Sequence, residues 1–254
     1  MFIDTHCHIS AVDYDDIDIV IKENINSGVD KMIVSGCEER TIYEVLELSK
    51  KYDSIYVTIG YHPDQVNIVD DKKLNELELL LKTPKVVGIG EIGLDYHYGK
   101  ENRNAQINLF RKQMKIAEKY HLPVVIHSRD ATDDTISVLK EFPSVIGDIH
   151  CFSGSVEVAK IYISLGYKIG IGGVVTFKNS NLYKVVETIG LASILLETDA
   201  PYLTPVPFRG KKNSSKYLPY IAKKVADTLN VSIDEVAKRT SLNAIRLFDL
   251  QTNL

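Results

Sequence analysis

Eight short runs of apolar and β-branched residues alternate with longer segments of helical periodicity along this chain of 254 residues. This alternation is typical of repeated βα units that form a parallel sheet. Strands are predicted at about 2–6, 31–36, 54–60, 86–91, 122–127, 145–150, 167–172 and 194–199. Helices are predicted near 13–27, 39–51, 72–82, 103–120, 131–141, 155–165 and 179–190, and two more follow near 216–229 and 233–247.

Two α/β folds fit such a pattern, and the first βα turn favours one of them. An open, doubly wound sheet would more often carry a glycine-rich phosphate turn after the first strand, and this chain has none there. Barrels of eight βα units typically have about 250 residues. No linker or low-complexity tract interrupts the alternation. The prediction is therefore a (β/α)₈ TIM barrel in which residues 1–254 form a single domain.

Composition excludes several classes of protein. The chain is 44% hydrophobic and 25% charged, which is ordinary for a globular protein and not for a disordered one. Its net charge of −4 provides no global basic field for nonspecific nucleic-acid binding. Three cysteines without framework spacing, no secretory leader and no apolar run of membrane-spanning length favour a cytoplasmic protein without a membrane partner. No obligate protein partner is evident.

Five predicted strands end in side chains that bind metals. Barrel enzymes place their active sites at the C-terminal ends of the strands, so these side chains are expected to meet at one rim. Residues two apart on a strand face the same way, which lets one strand offer two imidazoles to one ion. The predicted ligands are His6, His8, Glu91, His127, His150 and Asp199.

This set of donors points to transition-metal chemistry. Four imidazoles and two carboxylates suit zinc, manganese, iron or nickel better than a calcium cage. Glu91 could bridge two ions, which is the arrangement of two-metal hydrolases. A lone inward histidine is more often a hydrogen-bonded core residue, but coincidence at five strand ends favours a metal site.

Three further acids each precede a predicted ligand by two residues. By the same period of two, Asp4, Asp148 and Glu197 are expected to face the barrel interior one layer deeper. There they could accept the second N–H of the ligand histidines. The alternative is that each pairs with a lysine or arginine inside the barrel.

Several stretches match one known family in its own order: Phe2-Ile3-Asp4-Thr5-His6-Cys7-His8, Gly60-Tyr61-His62-Pro63, Gly88-Ile89-Gly90-Glu91-Ile92-Gly93-Leu94-Asp95-Tyr96, His127-Ser128-Arg129-Asp130-Ala131, His150-Cys151-Phe152-Ser153-Gly154 and Glu197-Thr198-Asp199-Ala200-Pro201-Tyr202-Leu203. With these motifs the chain resembles the TatD-like deoxyribonucleases, a branch of the amidohydrolase superfamily. The motifs span nearly the whole sequence.

The resemblance implies a deoxyribonuclease that cleaves DNA phosphodiester bonds with two divalent ions (Mg²⁺, Mn²⁺ or Zn²⁺) and a metal-activated water, and that acts as an exonuclease. The six residues named above occupy the family's ligand positions. In the mechanism predicted from these residues Glu91 bridges the ions and Asp199 accepts the proton of the water, with the DNA either trimmed from an end or nicked. One departure is that Ser214-Ser215 replaces the ending of the family's R-G-K-x-N-x-P motif.

A phosphodiesterase also needs cations or N–H donors for the phosphate oxygens. The loop after the eighth strand carries Arg209, Lys211 and Lys212, which are expected to contact phosphate rather than form a solvated charge run. His62 follows the third strand and is equally well explained as a phosphate donor or as a hydrogen-bonded loop residue. Arg129 is either a phosphate ligand or half of an ion pair.

Two other functions are compatible with the same ligands. One is amidohydrolase chemistry on a small cyclic amide, a lactone or a nucleobase, against which stand Glu91 in place of a bridging lysine and the basic loop. The other is a noncatalytic barrel whose metal is saturated by protein donors.

Overall fold

The computed structural model describes residues 1–251 and contains eight parallel strands hydrogen-bonded in sequence order. The strands are β1 (Phe2–Cys7), β2 (Val29–Gly36), β3 (Ile55–Ile59), β4 (Val86–Asp95), β5 (Val124–Arg129), β6 (Gly147–Ile149), β7 (Tyr167–Ile171) and β8 (Ile194–Leu196). The helices are α1 (Ile17–Asn26), α2 (Glu39–Lys51), α3 (Asp71–Leu80), α4 (Arg103–Tyr120), α5 (Thr132–Lys140), α6 (Val156–Ser164), α7 (Leu182–Ile189), α8 (Leu218–Leu229) and α9 (Ile233–Phe248). The predicted TIM barrel is confirmed.

The sheet closes between its first and last strands beyond the end of β8. The His8 N–H donates to the Ala200 carbonyl at 2.7 Å, and the Asp199 N–H donates to the His6 carbonyl at 3.0 Å. The Thr5 hydroxyl adds a bond to the Leu196 carbonyl at 3.1 Å. Residues of the first strand and of the segment after the last strand are therefore held side by side at the rim.

Strand β1 contains a bulge that changes which side chains face inward. Asp4 is opposite Met32 and Cys7 is opposite Val34, so β1 uses one more residue than β2 over the same length. Register partners in a parallel sheet point to the same face, and Met32 and Val34 pack in the apolar layer under the helices. Asp4 and Cys7 therefore face the helices.

Two apolar layers leave only one end of the barrel for polar chemistry. The larger layer lies between the strands and the surrounding helices. The smaller layer fills the N-terminal end of the barrel, where Ile33, Val125 and Leu195 pack against Leu247 and Phe248 of α9. Because α9 covers that end, the C-terminal ends of the strands remain as the open face.

Several strand boundaries differ from the predictions, and those near 91, 150 and 199 bear on the predicted ligands. Strand β4 continues to Asp95 because its last four residues pair with residues 126–129 of β5, and the Gln106 side chain of α4 bonds both the N–H and the carbonyl of Asp95 at 2.9 Å. Strands β6 and β8 stop before His150 and Asp199, which lie in the following turns. Among residues 1–251, no helix is both long and apolar enough to span a membrane.

Candidate metal centre

The predicted ligands come together at the open end of the barrel in two groups of donor atoms. In the first group, the Nε2 atoms of His6 and His8 are 3.2 Å apart. Each of these nitrogens is 3.6 Å from Glu91 Oε2 and 3.6 Å from Asp199 Oδ1. Four donors thus surround one position.

The second group uses the other oxygen of the same glutamate. Glu91 Oε1 is 2.8 Å from His127 Nδ1 and 2.8 Å from His150 Nε2. The two imidazole nitrogens are 3.2 Å apart. Because the two oxygens of Glu91 face different groups, its carboxylate is placed to bridge two ions.

The spacing of the donors fits a metal ion. Donors about 2.1 Å from a tetrahedral ion lie about 3.4 Å from one another. The separations within the two groups range from 2.8 to 3.6 Å. The mixture of imidazole and carboxylate is also the set that zinc or manganese accepts. The residues present therefore fit a site for divalent metal.

Local backbone structure positions these side chains. The bulge in β1 and the bonds across the seam fix His6, His8 and Asp199 relative to one another. At Gly170 on β7, a Cβ atom would lie 2.5 Å from Glu197 Oε2 and 3.0 Å from His150 Cα, so glycine is needed for β7 to pass this closely.

Asp95 lies beside the candidate metal centre and is not among the residues predicted from the sequence. Asp95 Oδ2 is 3.0 Å from Nε2 of His127, and this carboxylate orients the imidazole as in the carboxylate–histidine pairs of metal sites. Burial opposes ionisation of Asp95, but the bond with His127 prevails and lowers its pKa to about 2. Its position, four residues after Glu91, was hidden because β4 was predicted to end at residue 91.

The three acids predicted below the ligands have different surroundings. The expectation for Asp4 is wrong, because the β1 bulge turns it away from the interior, where it accepts from the Thr198 N–H and hydroxyl. Asp148 is in register with Val125 of the inner layer and is fully buried, as predicted.

The predicted bonds from these acids to ligand imidazoles are not formed. Glu197, also buried, accepts from the Cys151 N–H, and Asp148 has no hydrogen-bond partner among the described residues. The second nitrogen of His6 instead faces the Ser35 hydroxyl at 3.1 Å.

The electrostatics of the centre favour cations beside the bridging carboxylate. Burial alone would raise the pKa of Glu91, but the His150 and His127 imidazoles hold it well below its usual value. Burial lowers the pKa of His6 well below its ordinary value. For His127 burial acts in the same direction, yet Asp95 and Glu91 outweigh it and raise the pKa to about 9. Positive charge next to Glu91 is thus stabilised at His127 and opposed at His6.

Two of the five predicted substrate contacts line the cleft above this centre, which has a volume of about 840 Å³. His62 Nε2 is 3.8 Å from Glu91 Oε1, and its Nδ1 is 2.9 Å from Asp64 Oδ1. Arg129 forms no ion pair and no side-chain hydrogen bond with residues 1–251. Both side chains are placed where a substrate in the cleft would meet them.

The other three predicted contacts do not line the cleft and have partners of their own. Arg209 lies 3.9 Å from the centre of the Phe177 ring and donates to the Thr204 carbonyl at 3.0 Å. Lys212 donates to the Asp13 carbonyl, and Lys211 lies 5.8 Å from the Phe208 ring. Phosphate contact by this loop stays a prediction.

The departure from the family motif in this loop has a structural explanation. Ser214, which stands in the altered motif, is buried and its hydroxyl donates to Asn24 Oδ1 at 2.6 Å. The preceding Asn213 is fully buried and donates to the Thr198 carbonyl at 2.8 Å. The loop is therefore held to α1 and to the seam by side-chain hydrogen bonds.

Comparison with known proteins agrees with this geometry. The family model described as TatD related DNase matches residues 3–249. The uncharacterized metal-dependent hydrolase YabD of Bacillus subtilis is 41% identical over 98% of this chain and 99% of its own length. The crystal structure of YjjV, a TatD homologue from Escherichia coli K12, has a TM-score of 0.91 and 34% identity and covers 98% of both chains.

A more distant likeness concerns the fold alone. The phosphotriesterase homology protein of Escherichia coli, solved with phosphate in its active site, superposes with a TM-score of 0.67 at 14% identity. It covers 95% of this chain and 97% of that chain.

Proposed function

The chain belongs to the TatD-related DNase family of metal-dependent hydrolases, and on that premise we propose that it is a deoxyribonuclease that removes nucleotides from DNA ends. The observation that carries the proposal is the placement of Glu91, whose two oxygens face two separate groups of donors at the floor of an open cleft. Two-metal sites of this kind act on the attacking and leaving oxygens of a phosphodiester in line.

The ligands in this proposal are the six residues of the two groups. His6, His8 and Asp199 would hold one ion and His127 and His150 the other, with one oxygen of Glu91 available to each. Bound divalent ions would supply Lewis acidity to the phosphate and lower the pKa of the attacking water. Asp95 keeps the His127 ring in place through Nε2.

Proton transfer and substrate binding fall to side chains at the cleft. Asp199 lines the cleft and its carboxylate accepts the proton of the attacking water. His62 donates from Nε2 to a phosphate oxygen, and Arg129 offsets the charge that develops in the transition state. Arg209, Lys211 and Lys212 attract the strand that continues beyond the cleft.

The alternative substrates are a small cyclic amide, a lactone or a nucleobase. The basis for them is the fold, which is shared with proteins such as an engineered organophosphate hydrolase derived from a lactonase template, at a TM-score of 0.66 and 11% identity. Glu91 and the uncommitted Arg129 support a phosphodiester instead.

The test uses enzyme of known metal content and DNA labelled separately at its 3′ and 5′ ends. We expect stepwise release of mononucleotides from one end with Mg²⁺ or Mn²⁺ and none in excess chelator. Internal cuts would change the assignment from exonuclease to endonuclease. A metal-replete enzyme that cleaves no phosphodiester, but opens a cyclic amide or lactone, would overturn the proposed function.

A further inference from the structure

Two large aromatic side chains stand in solvent at the mouth of the cleft. Tyr98 is 89% exposed and Tyr202 is 57% exposed, and both line the cleft. An aromatic ring presents a flat apolar face that is usually buried or used in binding. The position of both rings at the metal centre points to binding.

The two rings lie on opposite sides of the metal centre. Tyr98 follows β4 and Tyr202 follows β8, and these strands are opposite one another in a closed order of eight. The Tyr202 N–H donates to the Asp199 carbonyl at 2.8 Å, and its ring centre is 6.1 Å from that of His8. The Tyr98 ring packs edge-on against His97 at 4.8 Å.

A cation that forms no salt bridge with residues 1–251 accompanies the more exposed ring. The Arg129 guanidinium lies 5.9 Å from the centre of the Tyr98 ring. Arg129 has no carboxylate partner among residues 1–251, whereas nearby Arg103 is paired with Asp134. An unpaired cation next to an exposed ring matches the two parts of a nucleotide, its phosphate and its base.

We propose that Tyr98 and Tyr202 are base-stacking residues that hold the nucleobases on either side of the scissile phosphate. The proposal rests on the proposed nuclease function and adds a specificity determinant to it. Stacking of this kind is tolerant of sequence, because every base has a π face. A base inside a duplex has both faces covered by its neighbours, so these two rings act on bases that are unstacked at the cleft.

The experiment compares ring removal with ring retention. Tyr98→Ala and Tyr202→Ala remove a ring, whereas Tyr98→Phe and Tyr202→Phe remove only the hydroxyl. Tyr183→Ala is a matched control, since Tyr183 is an exposed tyrosine of α7 that does not line the cleft. All variants are loaded with Mn²⁺, and their metal content and Tm are measured.

Two probes separate the bases from the backbone. The first is a single-stranded oligothymidylate, and the second is the same sugar–phosphate chain with base-free residues. Cleavage is followed as kcat/KM, and binding is followed by fluorescence anisotropy on versions with non-cleavable linkages. Each alanine variant at the cleft is expected to lose about 5- to 150-fold on the first probe, the range for one base–aromatic stack. Less than a twofold change is expected on the second.

The phenylalanine variants and Tyr183→Ala are expected to match the wild type on both probes. The stacking assignment would be overturned if Tyr98→Ala and Tyr202→Ala lost kcat/KM equally on both probes. It would also be overturned if these variants preferred the base-bearing probe as strongly as the wild type does. If no diester is cleaved but binding still depends on the two rings, the nuclease function fails and the stacking assignment stands.

Discussion

At the scale of single residues, chemistry-bearing side chains could be predicted where strand ends were evident. His127 and Glu91 were expected near the rim and their side chains lie 2.8 Å apart there, although β5 and β4 run two and four residues beyond them. Asp4 was misplaced because a bulge leaves no mark in a period-two pattern. Asp95 was missed because β4 is extended by pairing with β5 up to Arg129, a partner more than 30 residues away in the sequence.

The first prediction concerns Asp199→Asn, which keeps the size and one ligating oxygen but removes the proton-accepting charge. If Asp199 takes the proton of the attacking water, kcat should fall on the order of 10²–10⁴-fold with little change in binding of DNA. The measurement is steady-state cleavage by enzyme with a verified metal count. Near-normal kcat in a metal-replete variant would leave Asp199 without a role in proton transfer.

A second prediction tests whether the Asp95 carboxylate supports metal binding by orienting the His127 imidazole. Asp95→Asn replaces the carboxylate that accepts from His127 Nε2, and we expect metal affinity to fall about 10- to 100-fold because the imidazole loses its orientation and basicity. Isothermal titration with Mn²⁺ measures this change. Asp130→Asn is a matched control, because Asp130 is an exposed neighbour paired with His97. Unchanged affinity in Asp95→Asn would show that the contact has no effect on the metal.

At the scale of elements, the loop between β8 and α8 carries both a predicted substrate-binding motif and buried side chains that anchor it. Its motif indicated substrate contact, while the structure assigns it buried anchors at Asn213 and Ser214. Its cations lie beside aromatic rings rather than in the cleft. Such anchors could not be predicted, since Asn24 is about 190 residues away in the chain.

The third prediction tests the cations of this loop together. Alanine at Arg209, Lys211 and Lys212 should weaken DNA binding and flatten its salt dependence by as much as about two units of slope, with a smaller effect on turnover at saturation. The control is alanine at Lys238, Arg239 and Arg246, which removes the same charge from α9 at the other end of the barrel. Identical salt slopes in the two triple variants would mean that the loop does not contact DNA.

At the scale of the whole molecule, the order of elements and the barrel could be predicted, but the hydrogen bonds that form its seam could not. Alternating strands and helices indicated a parallel sheet, and eight units indicated a barrel. Regular strand pairing runs from β1 to β8, however, and the seam between β8 and β1 consists of bonds from the N–H groups of His8 and Asp199 beyond β1 and β8. Such bonds depend on turns whose conformation is set by tertiary contacts.

The fourth prediction is that chelation abolishes hydrolysis and lowers the Tm, and that Mg²⁺ or Mn²⁺ restores both. An ion that binds only the folded state stabilises it by about 2.7 kcal/mol when present at 100 times its Kd. Differential scanning calorimetry with and without metal measures the shift. Hydrolysis that persists in excess chelator, with metal content shown to be zero, would contradict the mechanism.

The seam also means that the two groups of donors are completed at different points in the synthesis of the chain. The donors of the second group lie on β4, on β5 and just after β6, so all of them have been translated once His150 is made. The first group joins the N-terminal His6 and His8 to Asp199, and its last donor is made much later. The donors of the second group are thus all translated before those of the first, whose completion requires the first strand to meet the segment that follows the last strand.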